Sequence, residues 1–175
     1  VLARWLSLWG HQVSCISVTD VNSKECKVNQ SRVQALGIAP LTLKDELPEA
    51  DVYIDSILGT GQRLPLSQTI LSATEHFFKG PAIRYSIDIL TGVNPDTGHC
   101  TLEHLSEIDG TFALGQIKPG HYCGVLSGQI IPIDIGLSLA TQSSDTSFPV
   151  SANLIEANDI QFPPLESNGF AKWNR

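Results

Sequence analysis

The segment Asp51-Val-Tyr-Ile-Asp55-Ser-Ile-Leu-Gly59-Thr60-Gly61-Gln62-Arg63-Leu64-Pro65 constrains the fold most, because Ala82-Ile-Arg-Tyr-Ser-Ile-Asp88-Ile-Leu-Thr91-Gly92 echoes it downstream. Each is a short apolar, β-branched run that ends on an aspartate and passes into a glycine turn. Buried parallel strands read this way, and in an open α/β sheet their C-terminal ends carry the ligand-binding groups. Two such strands imply that Asp55 and Asp88 share one crevice.

Between them the sequence spells a helix. Ser67 is placed to cap it, Leu66 can pack on Leu71 as a hydrophobic staple, and the helix runs through Phe77 and Phe78 to a stop at Gly80-Pro81. Upstream, apolar positions 2, 5, 6 and 9 follow helical spacing, Gly10 closes that helix, and 11–18 alternates as a strand. Residues 23–36 carry Val28, Val33 and Leu36 among polar residues, as a surface helix does. Residues 38–50 read as a polar connection with a short helical turn at 44–47. Further strands are predicted at 108–113 and 129–135. Strand and helix alternate in the manner of a doubly wound sheet, so the expected class is α/β.

With 175 residues, 42% hydrophobic and 17% charged, the chain has material for one sizeable core. A net charge of −7 without any Lys/Arg run argues against binding nucleic acid through its phosphates and favours a small-molecule ligand. Cys15, Cys26, Cys100 and Cys123 lack the spacing of a zinc site or disulfide framework. No apolar run approaches the roughly 20 residues that cross a bilayer, so a cytoplasmic protein without membrane contact is expected. The chain holds no methionine and opens inside a helix, which reads as a start within a longer protein. From Ser138 the rhythm is lost: 142–147 is expected as loop, 159–165 as extended chain, and 168–175 as part of a linker.

A carboxylate inside an apolar strand costs several kcal/mol to desolvate unless donors or a cation meet it, so Asp55 and Asp88 need partners. Capping of nearby backbone amides is the structural reading of either one; a pair at equivalent strand ends points to a site. Gly59-Thr60-Gly61 is not the full dinucleotide fingerprint, but it precedes a helix N-terminus, where free N–H groups favour a phosphate. Arg63 is either a charge-assisted donor there or a solvated loop residue. Lys118, in Gly115-Gln-Ile-Lys118-Pro-Gly120, lies past a third apolar run and can reach the same crevice or sit on the surface. The histidines at 11, 76, 99, 104 and 121 lack metal spacing and nucleophile partners, and receive no role.

The order of these motifs resembles the NAD(P)H-hydrate epimerases, the YjeF N-terminal domains. The resemblance rests on Asp55-Ser-Ile-Leu-Gly59-Thr60-Gly61-Gln62-Arg63-Leu64-Pro65, Asp88-Ile-Leu-Thr91-Gly92-Val-Asn-Pro-Asp96-Thr-Gly98, Thr111-Phe-Ala-Leu-Gly-Gln-Ile-Lys118-Pro-Gly120 and Asp134-Ile-Gly136-Leu137. It covers nearly the whole chain. It implies a Rossmann-like three-layer α/β/α sandwich with a mainly parallel sheet that interconverts the R and S forms of hydrated NADH or NADPH at C6 of the nicotinamide ring, as a homodimer with bound potassium (K+). Carried over by motif, Asp55 and Thr91 would hold potassium, Gly59, Thr60, Gly61, Gln62, Arg63, Leu64 and Pro65 would cradle the dinucleotide with Lys118, and Asp88 would be the acid/base on the hydrated ring.

Leu90-Thr91 stands where the family pattern has Pro-Ser, and the family's Asn-Asn-Gly-Gly-Asp loop would precede Val1. On this reading 1–160 is the epimerase domain, truncated at its N-terminus, and 161–175 a linker toward a second domain, in bacterial members an ADP- or ATP-dependent dehydratase. The same domain also serves, without catalysis, as a scaffold for RNA or a protein partner; retained Asp88 and the acidic charge favour the enzyme. An ordinary NAD-dependent dehydrogenase is disfavoured by the missing fingerprint.

Overall fold

The computed structural model describes residues 1–20, 23–102, 107–123, 126–137 and 159. The chain divides into two units, Val1–Ser138 and Leu139–Arg175. In the second, Asp159 alone is described, so the domain boundary expected at residue 160 and the loop, extended and linker segments expected after Ser138 lie outside the described residues.

The first unit is a Rossmann-like α/β fold. Its order is α1 (Leu2–Leu8), α2 (Lys24–Gln34), β1 (Val52–Asp55), α3 (Gln68–Phe77), β2 (Ile83–Ile87), β3 (Gly110–Leu114), α4 (Pro119–Cys123) and β4 (Gln129–Ile133). The four strands pair side by side in the order β1-β2-β3-β4, and every pairing is parallel. The register sets Asp55 opposite Ser86, Ser86 opposite Thr111, and Ile87 opposite Phe112. All C-terminal strand ends therefore open on the same edge, with β1, β2 and β3 as immediate neighbours.

The strand expected at 11–18 does not form; Ile16 makes only an isolated parallel bridge to Leu41. Ser17 N–H donates to Leu41 O and Leu41 N–H to Cys15 O, both at 2.7 Å. The ladder stops because the chain turns at once: Asp45 N–H donates to Thr42 O (3.0 Å), and the Asp45 carboxylate accepts from Thr42 N–H (2.6 Å) and the Thr42 hydroxyl (2.9 Å). That side-chain-closed turn also replaces the helical turn expected at 44–47, since aspartate here competes for backbone groups a helix would use.

Helix α3 begins as its sequence reads. The Ser67 hydroxyl accepts from Ile70 N–H (3.5 Å), and Leu66 is buried with Ile70 and Leu102, with Leu71 packed against them. A second cluster joins Phe77, Ile89, Leu90, Val93 and Ile108, and Phe78 and Cys100 lie against both clusters. Leu90, where the family pattern has proline, is only 2% exposed and belongs to this core. Helix α1 is present, but none of its residues is buried: Trp5 and the capping Trp9 just beyond it stand 46% and 67% exposed.

The far end of α3 is held by an arginine inside a strand. Arg84 is buried in β2 and its guanidinium donates to the carbonyls of Phe77 (2.7 Å), Ala82 (2.9 Å), Lys79 (3.0 Å) and Gly80. The last carbonyls of a helix lack intrahelical partners, and here one fork of donors gathers them together with those of the turn into β2. Arg84→Met keeps the stem and removes every donor. We expect it to destabilise the fold by about 2–3 kcal/mol, the cost of orphaning buried acceptors that had a charged partner, read as a lower urea midpoint at unchanged slope.

Candidate active site

The strand ends carry two aspartates in different surroundings. Asp55 closes β1 and is 3% exposed. Its carboxylate accepts from Thr91 N–H (2.7 Å), the Thr91 hydroxyl (2.9 Å) and Ile57 N–H (3.0 Å). The Thr91 hydroxyl accepts in turn from Leu58 N–H (3.2 Å). Burial pushes the Asp55 carboxyl above the usual carboxylate range, opposed by the hydrogen bonds from Thr91 and Ile57. Among the described residues no cation reaches it.

Asp88 follows β2 and turns its backbone into the left-handed region, with φ +73°. This conformation costs a non-glycine residue about 1–2 kcal/mol, and it persists where surrounding bonds determine it. Those bonds are present. Asp88 N–H donates to Phe112 O (2.8 Å), its carbonyl meets His121 Nε2 (2.8 Å), and its carboxylate accepts from Thr60 N–H (3.2 Å) and pairs with the Lys118 ammonium. Lys118 Nζ also donates to Leu114 O (2.9 Å). The two side chains are about one sixth exposed, so the pair is accessible, in contrast to Asp55.

The Gly59–Pro65 loop lies against these groups in distinct ways. A Cβ on Gly59 would stand 2.9 Å from Asp88 Oδ2, so only glycine lets the loop pass this close to the carboxylate. Gly61 has nothing within 4 Å of the corresponding position. The Gln62 amide donates to Val93 O (2.6 Å) and accepts from Gly92 N–H (2.8 Å), tying the loop to the turn after Thr91. Leu64 and Leu66 pack with the α3 cluster, Pro65 is exposed, and Arg63 is exposed without an ion-pair partner among the described residues.

The structure thus brings together Asp88, Lys118, Gly59 and Thr60 in one group and Asp55 with Thr91 in an adjoining one, joined through Gln62. It leaves Arg63 outside both. His121, which the sequence reading left without a role, is 2% exposed and touches both Asp88 and Lys118. The signal was its place three residues after Lys118, on the one turn of helix that the Lys-Pro-Gly run starts.

Comparison with known proteins gives the family of the chain. A sequence profile of the family described as YjeF-related protein N-terminus matches residues 1–120. The chain is 29% identical over 148 residues to an NAD(P)H-hydrate epimerase of Rhodopirellula baltica, covering 79% of this chain and 60% of that protein. It is 35% identical over 97 residues to the bifunctional NAD(P)H-hydrate repair enzyme Nnr of Methanothermobacter thermautotrophicus, covering 54% of this chain and 18% of the enzyme. The Archaeoglobus fulgidus enzyme of the same name is 32% identical over 103 residues, 57% of this chain and 22% of its own length. The chain therefore spans less than two thirds of these relatives. With the profile running over residues 1–120 of 175 and through the motifs gathered at the strand ends, the chain belongs to the family of YjeF-related protein N-termini.

Proposed function

We propose that this chain carries an epimerase site for hydrated NADH or NADPH. The observation that supports it is the accessible Asp88–Lys118 pair on a left-handed residue at the end of β2, beside the backbone of Gly59 and Thr60. Epimerisation at the hydrated carbon breaks and remakes one bond on either face of the ring, and each direction moves a proton to or from oxygen. A carboxylate within hydrogen-bond reach relays that proton both ways, and the neighbouring ammonium orients it and offsets charge. The Gly59–Pro65 loop, leading into the α3 N-terminus, would take the dinucleotide phosphates, with Arg63 free to turn toward them.

Potassium belongs to the same proposal. The donors suit a hard monovalent ion: Asp55 and Thr91 offer oxygen, and Ser86, register partner of Asp55, is fully buried with its hydroxyl unpartnered among the described residues. Asp55 and Thr91 would hold the ion, which would offset the buried carboxylate charge and stiffen the turn after β2. A homodimer in the cytoplasm completes the reading. No helix among the described residues is long and apolar enough to cross a membrane, and the exposed apolar side chains of α1 are suited to a subunit contact.

Asp88→Asn retains shape and removes the acid/base, so interconversion of the two hydrate epimers by the complete protein should slow by about a hundredfold or more. Equal rates in variant and parent would make Asp88 structural and refute the proposal. A Cβ at position 61 meets nothing within 4 Å among the described residues, so Gly61→Val should leave the thermal midpoint unchanged. Its effect should appear in calorimetry as a loss of dinucleotide affinity of about tenfold, 1.4 kcal/mol. Exchanging choline for potassium at constant ionic strength should raise the melting temperature by roughly 3–6 °C at ten times the dissociation constant. Thr91→Val should abolish that gain; a melting temperature indifferent to potassium would remove the ion from the site.

A further inference from the structure

Resting on the epimerase reading, we infer that His121, held as one neutral tautomer, is the positioning residue that sets Asp88 against Lys118. Its Nε2 lies 2.8 Å from the backbone carbonyl of Asp88, and a carbonyl only accepts, so Nε2 carries the hydrogen. Its Nδ1 accepts from Lys118 N–H at 2.9 Å, so Nδ1 is bare. Neutral imidazole protonated at Nε2 is the one form that satisfies both contacts; imidazolium would set N–H against N–H. Burial favours the same form by pushing the His121 pKa below the usual histidine value, a shift that the bond to Asp88 partly opposes.

The ring acts on both members of the pair through their main chains. Asp88 takes its left-handed turn just past the last residue of β2, where its N–H is still held by Phe112 O while its carbonyl has left the ladder. His121 is the donor that receives this carbonyl. Without it the following peptide keeps only the bond from Ile89 N–H to Ile87 O (3.0 Å) next to Asp88, its carbonyl is released, and the direction of the Asp88 side chain shifts with its backbone. On the other side the same ring fixes the amide of Lys118. The ring is itself anchored by α4: Gly120 N–H donates to Pro95 O (2.6 Å), and a Cβ on Gly120 would collide with the carbonyls of Asn94 and Pro95. Glycine at 120 lets α4 come close enough for His121 to reach across.

Two amide replacements separate the contacts. Glutamine can place a donor near the Nε2 position, and asparagine an acceptor near Nδ1; leucine supplies neither. In the complete protein, His121→Leu and His121→Asn should lower kcat for epimer interconversion by about a hundredfold, as expected for displacement of a reacting group by about 1 Å, with KM little changed. His121→Gln should restore most of the rate. Parental kcat in the leucine variant, or equal kcat in the glutamine and asparagine variants, would overturn the inference. Side-chain 15N spectra of the unmodified protein without substrate should show His121 protonated at Nε2 and bare at Nδ1 at neutral pH; the other tautomer or the cation would overturn it as well. A protein that interconverts no hydrate overturns the epimerase reading, while the tautomer still decides whether His121 holds the geometry described.

Discussion

The bond network of the Asp55 carboxylate is the constraint on which the site depends. A buried charge without a cation is tolerated when donors surround it, and the three donors described here come from just two residues, Thr91 with its N–H and hydroxyl and Ile57 with its N–H. Because Thr91 belongs to the turn after β2, satisfying Asp55 ties the exits of two neighbouring strands together. Gln62 repeats the link one residue further on, through Gly92 and Val93. The turn that presents Asp88 is therefore fixed by a carboxylate that is itself shut away.

The two aspartates divide the tasks of a strand-end acid. Asp55 is enclosed, and its oxygens accept from backbone and hydroxyl donors. Asp88 is exposed enough to meet a ligand, and its oxygens face Thr60 N–H and a lysine. What separates them is local: Asp55 ends in strand geometry, whereas Asp88 has already left it, turning with φ +73° so that its side chain stands at the rim.

Much of this was legible in the sequence because the signals were local or periodic. The aspartate-ended strands, the Ser67 cap and staple, and the alternation of elements each follow from residue type and spacing, and the fold class follows from their order. The 11–18 strand failed because alternation says nothing about a partner, and its partner segment turns away at the Asp45-closed turn. Arg84 hid as one polar residue in an apolar run; its worth lies in carbonyls exposed by the end of a helix several residues earlier. His121 hid because a histidine that bonds only to main chain leaves no side-chain partner to recognise. Lys118 was visible as a candidate, while its pairing with Asp88 required the register of β2 against β3.

The contacts that build the site span similar stretches of chain: 28 residues from Thr60 to Asp88, 30 from Asp88 to Lys118, 33 from Asp88 to His121 and 36 from Asp55 to Thr91. Each closes one crossover between parallel strands, and no contact within a single element can stand in for it. Such closures carry an entropic cost before they are rewarded, which makes parallel pairing slow to nucleate. During synthesis from the N-terminus, Asp88 emerges before either Lys118 or His121. The site therefore matures late in sheet assembly, and Asp88 gains its partners only when the third strand and the turn of helix after it have docked.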